Sequence, residues 1–259
     1  MPVVTYALED HVALITLNRP EAMNTFNPDM YREFNAATAR FRDDDAAWVA
    51  VIAAAGERAF SAGVDIKALD ALAASADDPA ALAQSFDIEL EGEYYCDKPI
   101  LAAIQGYCIG EGLSMALGCD LRIAGEGATF ALPESRVGLP TINAAMHGAR
   151  IMGTANALEL LLLGEQRDAA WAYRTGLVNR VVPDDQVLAE TLAWAHKIAA
   201  LSPLANRITK AMAVQGQAQG FAETAAVGAR RRDALLASHD AAEGRRAFLE
   251  KRAPRFIGA

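Results

Sequence analysis

Residues 98–138 combine side chains and backbone that an acid–base reaction on a developing anion would need. A short apolar run after a proline, residues 99–105, predicts a buried strand, and residues 113–117 predict a compact helix. Between them lie three glycines, which let backbone approach a ligand closely: Gly106, Gly110 and Gly112. Backbone N–H groups at a helix start bind negative charge. Glu134 follows twenty residues after Ser114, so one segment offers an anion site and a candidate acid or base.

A second informative stretch, residues 59–67, reads AFSAGVDIK. The pattern predicts the end of a strand, a turn of small residues, and a helix that begins near Asp65. Such a turn can leave a backbone N–H group pointing outwards, away from the sheet.

Strands alternate with helices in the N-terminal part, which favours a parallel α/β core over residues 1–185. The last residues, 186–259, are predicted to form a helical region that packs on the core or on neighbouring subunits. Strands are predicted at 3–8, 11–18, 48–54, 99–105, 120–124 and 177–182. Helices are predicted at 28–42, from about Asp77 to Cys96, and at 142–152, 154–163, 168–175, 184–201, 203–215 and 221–248.

The composition excludes several classes of function. A net charge of −9 argues against nucleic acid as a partner, because phosphate binding needs a broad basic surface. The three cysteines form no C-x-x-C pair, so we expect no metal site, and we interpret Cys108 and Cys119 as small buried apolar residues. No secretion signal is evident, and no apolar run reaches the roughly 18 residues of a membrane span. We therefore expect a cytoplasmic protein without a membrane partner.

Several motifs together resemble the crotonase (enoyl-CoA hydratase/isomerase) superfamily. They occur in the family's order: LNRP at 17–20, AFSAGVDIK at 59–67, residues 98–120, Pro133–Glu134, GLV at 176–178, VVP at 181–183 and AFLEKR at 247–252. The resemblance implies an α/β spiral of ββα units with a helical C-terminal trimerisation region. It also implies acyl-CoA substrates of fatty acid metabolism and assembly as a homotrimer or as a hexamer of two trimers. No separate cofactor is implied, since coenzyme A is part of the substrate.

The same resemblance implies roles for individual residues. The backbone N–H groups of Val64 and Glu111 would form an oxyanion hole, which holds the thioester oxygen as it becomes an enolate. Contacts to coenzyme A would come from Glu21, Ala22, Met23, Ala62, Asp65, Ile66 and Lys67. Phe248 and Lys251 would reach the coenzyme A of a neighbouring subunit.

The sequence departs from the family pattern at two catalytic positions. Family hydratases hold a water between two glutamates; one matches Glu134, but the other matches Ser114, which has no ionisable carboxylate. Glu111 stands where hydratases usually have glycine. We expect its side chain to point to solvent, the alternative being a replacement carboxylate inside the pocket. His147, in a segment that also departs from the family, is expected to pack or to lie on a helix surface rather than to act in catalysis.

These departures leave more than one reaction open. The main hypothesis is an enoyl-CoA hydratase-like lyase in which Glu134 carries the protons and Ser114 holds the water. One alternative is a 3,2-enoyl-CoA isomerase, which needs only a single carboxylate. A hydratase-lyase that also cleaves a carbon–carbon bond could use the same Glu134. A third class is a non-catalytic paralogue that binds coenzyme A or RNA.

Overall fold

The computed structural model describes residues 2–74, 87–90 and 95–259 of the chain. Within these residues, ten strands form two sheets. Their bounds are β1 Val4–Glu9, β2 Val12–Leu17, β3 Val49–Ala54, β4 Ala59–Ser61, β5 Ile100–Ile104, β6 Tyr107–Ile109, β7 Leu121–Gly125, β8 Thr129–Ala131, β9 Arg167–Asp168 and β10 Arg180–Val182.

The two sheets are built by a chain that alternates between them. The larger sheet has the order β1-β2-β3-β5-β7-β10, and the smaller has the order β4-β6-β8-β9. Apart from the β1–β2 hairpin and the β8–β9 edge, neighbouring strands are parallel. Each of the pairs β3–β4, β5–β6 and β7–β8 places one strand in each sheet. This arrangement confirms the predicted spiral of ββα units.

The helices follow the predicted order, with two differences. Their bounds are α1 Pro28–Asp43, α2 Ile66–Ala73, α3 Glu111–Gly118, α4 Asn143–Met152, α5 Thr154–Leu163, α6 Ala169–Arg174, α7 Val187–Ala199, α8 Pro203–Gln219, α9 Phe221–Leu236 and α10 His239–Glu250. The single helix predicted at 221–248 is two helices, because the Ser238 side chain accepts from the Ala241 N–H and starts a new one. Of the helix predicted from Asp77 to Cys96, residues 77–86 and 91–94 lie outside the described residues, and 87–90, 95 and 96 are not helical.

The core occupies both faces of the larger sheet. Along β3, Ala50 and Ile52 face the main core, whereas Val49 and Val51 face a second apolar cluster that includes Val187 of α7. Successive side chains of a strand point to opposite faces, so a strand covered on both sides is apolar throughout. Helix α7 therefore packs on the sheet directly. The division into an α/β core and a separate helical region stays a prediction.

The structure bears on two predictions that were made from the composition. Cys108 and Cys119 are buried and free, as expected for small apolar residues. No helix of the described chain is both long and apolar enough to cross a membrane.

Candidate active site

The first of two turns that build the site connects β4 to α2. Gly63 has a φ of +98°, a conformation that side chains rarely adopt. Phe26 pairs with this turn on both sides of Val64, because its N–H donates to the Gly63 carbonyl at 2.8 Å and its carbonyl accepts from the Asp65 N–H at 2.9 Å. The Val64 N–H consequently points to the opposite side, and it finds no hydrogen-bond acceptor among the described residues.

The second turn connects β6 to α3. Gly110 has φ +56° and ψ −125°, and no side chain caps the helix that follows it. The Gly110 carbonyl accepts from the N–H groups of Leu113 and Ser114, both at 2.9 Å, but the Glu111 N–H has no acceptor in the described chain. A β-carbon placed on Gly63 would lie 3.5 Å from the Glu111 nitrogen. The two turns are therefore in contact, with an unused N–H donor in each.

Glu134 lies against these turns. It begins the 3₁₀ helix Glu134–Val137 after β8, and its Oε1 would be 3.2 Å from a β-carbon on Gly110. Its Oε2 is buried and has no hydrogen-bond partner among the described residues. Burial raises the pKa of Glu134, although its own backbone N–H and the Thr141 side chain act in the lowering direction. A carboxyl group of this kind can alternate between acid and base near neutral pH.

One cavity of about 540 Å³ joins Val64, Glu111, Ser114 and Glu134. The expectation that the Glu111 side chain points to solvent is wrong, because Glu111 lines this cavity and its carboxyl group is largely desolvated. Burial raises the pKa of Glu111 to about 7, with further contributions from the negative charges of Glu134 and Asp87. Glu111 is not among the described non-glycine residues with positive φ, so its backbone fits the helix start without strain.

The rest of the cavity wall is mainly apolar, with the acid Asp87 and the neutral polar residues Tyr31, Thr141 and Asn143. Its apolar members include Leu69, Ile88, Leu90, Met115, Leu139, Pro140 and Ile142. Asp87 adds a third acid, and no lysine, arginine or histidine is among the described residues that line the cavity. Nor does the described chain contain a group of three or more His, Cys, Asp or Glu that could hold a metal ion.

Sequence reasoning assigned no role to four polar residues of the cavity, Tyr31, Asp87, Thr141 and Asn143. Tyr31 is buried, and burial followed by the charges of Glu111 and Asp87 raises the pKa of its hydroxyl. Its position beside Met30 on the apolar face of α1 is the sequence signal that could have found it. Asp87 comes from a segment whose sequence gives no such signal.

The predicted coenzyme A contacts form one group near the first turn. Glu21, Ala22 and Met23 follow Arg19, whose guanidinium pairs with Asp65 at 2.8 Å. The Ala62 N–H donates to the Met23 carbonyl at 3.0 Å, and Ile66 and Lys67 are exposed at the start of α2.

Three other residues singled out from the sequence, His147, Phe248 and Lys251, do not line the cavity of this chain. His147 lies half-buried on α4, as expected for a packing residue. Phe248 is 84% exposed near the end of α10, and Lys251 follows that helix. Contacts of Phe248 and Lys251 with a neighbouring subunit's coenzyme A, like the other residue roles, stay predictions.

Comparison with known proteins identifies the family of this chain. The family model described as enoyl-CoA hydratase/isomerase matches residues 7–259 of the chain. The chain belongs to the enoyl-CoA hydratase/isomerase family. Within this family, a probable enoyl-CoA hydratase of Rhizobium meliloti (strain 1021) is 38% identical over 249 residues, which are 96% of this chain and 95% of that protein.

Two further family members extend the likeness to chemistry and fold. The (E)-benzylidenesuccinyl-CoA hydratase of Thauera aromatica is 37% identical over 262 residues, 99% of each chain. The crystal structure of an enoyl-CoA hydratase/carnithine racemase from Magnetospirillum magneticum is 35% identical, and the match covers 100% of this chain and 97% of that one, with a TM-score of 0.91. The predicted membership and fold class are thereby confirmed.

Proposed function

We propose that the protein is an enoyl-CoA hydratase, which adds water across the C2=C3 double bond of an acyl-CoA thioester. The observation that carries this proposal is the cavity in which two unused backbone N–H groups meet the buried Glu134 carboxyl. Relatives named enoyl-CoA and crotonyl-CoA hydratase support the same reaction class.

The two N–H groups account for activation of the thioester. As the water oxygen bonds to C3, electrons shift from the double bond and the thioester oxygen gains the charge of an enolate. Val64 and Glu111 donate to that oxygen, and the uncapped start of α3 adds the positive end of a helix dipole. One such donor is worth about 2.7–4 kcal/mol in the transition state. Only the backbone donates, which explains why the side chain at position 64 is free to be apolar.

Glu134 accounts for movement of the protons. An ionised carboxylate accepts a proton from the attacking water, and a carboxylic acid delivers a proton to C2 of the enolate. A buried carboxyl with a raised pKa suits both roles in turn. The Ser114 hydroxyl, which lines the same cavity, can hold the water.

The cavity wall also indicates the class of acyl group. Apolar side chains and three acids without a lining lysine, arginine or histidine, among the described residues, favour a neutral acyl chain. A second carboxylate at the far end of the acyl chain would enter a site of like charge, which is unfavourable.

The proposal extends to features that only the family resemblance implies. It includes an acyl-CoA substrate with the coenzyme A contacts named above, no separate cofactor, and a homotrimer or hexamer. The exposed Phe221, Phe248 and Leu249 support an assembly that covers the C-terminal helices. The cytoplasmic location and the role in fatty acid metabolism stay predictions.

An assay of both family reactions tests the proposed function. We expect the purified protein to convert neutral 2-enoyl-CoA thioesters to 3-hydroxyacyl-CoA, and to act at least about tenfold less efficiently on enoyl thioesters with a terminal carboxylate. Glu134→Gln should lower kcat by at least about a hundredfold, the scale of general acid–base catalysis.

The matched control is Glu126→Gln, which removes an exposed carboxylate away from the cavity and should leave kcat unchanged. Isomerisation of 3-enoyl-CoA without detectable hydration would overturn the proposal in favour of the isomerase. Acyl-CoA binding without turnover of either substrate would favour a non-catalytic paralogue.

A further inference from the structure

We propose that the Glu111 side chain is the second catalytic carboxylate of this site. It would supply, from the first residue of α3, the acid–base group that Ser114 lacks one turn later. The inference rests on the proposed hydration and concerns the side chain of Glu111, whereas the oxyanion hole uses only the backbone of that residue.

Helix geometry explains how the carboxylate of Glu111 can reach the part of the cavity beside Ser114. Residues three apart lie on the same face of a helix, one above the other. Glu111 and Ser114 are three apart in α3, and both line the cavity that holds Glu134. The glutamate side chain is longer than serine by two carbon–carbon bonds, which gives it the reach that Ser114 lacks.

The surroundings of Glu111 differ from those of a structural glutamate. Glu243 in the same chain accepts from the Arg252 guanidinium at 2.6 Å and from the Arg255 N–H at 2.9 Å, and these contacts lower its pKa to about 2. Glu111 has no ion pair among the described residues, and the charged groups that influence it are the acids Glu134 and Asp87. Structural stabilisation therefore does not explain its partly buried position.

Two interacting carboxyls provide what hydration requires. Like charges in a poorly solvated cavity resist simultaneous ionisation, so the pair retains a proton over the range between its two titrations. In that state the ionised member takes a proton from water while the water oxygen bonds to C3. The protonated member gives its proton to C2 as the enolate collapses to the thioester. Both carboxyl groups remain, with the proton now on the other member, and transfer through solvent restores the starting state.

Removal and relocation of the carboxylate test the inference. Glu111→Gln and Glu111→Gly both remove the carboxylate but keep the backbone N–H. We therefore expect kcat for hydration to fall about a hundredfold while KM changes less than about threefold. The double variant Glu111→Gly with Ser114→Glu restores a carboxylate to the same helix face. Its kcat should be at least about tenfold higher than that of Glu111→Gly alone.

The pH dependence separates a catalytic role from a structural one. The wild-type kcat profile should show two ionisations, and Glu111→Gln should show one. Wild-type kcat in Glu111→Gln would overturn the inference while leaving the proposed hydratase intact. A loss in both single variants with no recovery in the double variant, and with two ionisations retained, would also overturn it. Absence of hydration by the wild-type protein would instead overturn the proposed function.

Discussion

The two turns that meet in the cavity have similar backbones but opposite electrostatics. Each contains a glycine with positive φ, Gly63 or Gly110, and each leads into a helix. In the first turn the Asp65 side chain caps α2 by accepting from the Ala68 N–H, and Arg19 pairs with it. In the second turn Gly110 provides no cap. The first helix start is thus already satisfied by the protein, whereas the second is open to a negative charge from a ligand.

The acids at the two helix starts show the same contrast. Burial opposes ionisation of Asp65, but hydrogen bonds from Arg19 and from backbone N–H groups outweigh it and lower its pKa. Burial and neighbouring acids raise the pKa of Glu111. One acid stabilises its turn as a charged group, and the other is held in a place where charge is unfavourable. A position that costs stability in this way is typical of a site built for chemistry.

The largest effect is expected from a substitution that adds a side chain to the second turn. In Gly110→Ala the new β-carbon would meet Glu134 Oε1 at 3.2 Å while φ is +56°. We expect kcat to fall about a hundredfold, because a displaced Glu134 or N–H donor loses alignment with the substrate. The measurement is steady-state hydration together with thermal unfolding.

Gly153→Ala is the matched control for backbone strain. Gly153 has a φ of +76° and nothing within 4 Å of the added β-carbon. It should lose stability comparably and keep its kcat. An equal loss of kcat in both variants would show that strain, and not the contact with Glu134, causes the effect.

A second prediction concerns how much the ionised Glu111 carboxylate lowers the free energy of unfolding. Its pKa is about 7 in the folded protein against an ordinary 4.5, so the folded state gains stability below pH 4.5 and loses it as pH rises through 7. Glu111→Gln should raise the free energy of unfolding at pH 8 by up to about 3 kcal/mol, and this gain should fade towards pH 4.5. Urea unfolding at both pH values measures it. A destabilised variant at pH 8 would mean that the carboxylate has a favourable partner.

The smallest effect should come from uncapping the first turn. Asp65→Ala removes the acceptor for the Ala68 N–H and should lower the free energy of unfolding by about 1 kcal/mol at neutral pH. Because the pKa of Asp65 is lowered, this contribution is present above its ordinary value of 3.8 and is lost as pH falls below it. Asp65→Asn, which keeps a capping oxygen, should lose less. An equal loss in both variants would assign the effect to the ion pair with Arg19 alone.

Local signals predicted the six strands of the larger sheet, most of the helices, and Glu134 as a candidate acid or base, but not β6, β8 and β9 of the smaller sheet. Asn27 followed by Pro28 marks the start of α1, and the apolar run before Gln105 marks β5. The break at Ser238 was missed because the apolar pattern continues through it, although serine is a common helix cap. Asp87 could not be placed, since its contact with the cavity depends on the packing of a distant segment.

The sequence by itself determined the family, the two turns, and Glu134 as a buried acid beside them. Only the tertiary structure decided where the Glu111 side chain goes. A charged side chain is expected in solvent, and the sequence contains nothing to contradict that expectation. In the fold, Glu111 at the start of α3 lines a cavity that other parts of the chain complete with Tyr31, Asp87 and Glu134. Long-range packing, which no local pattern records, thus places a second acid inside the site.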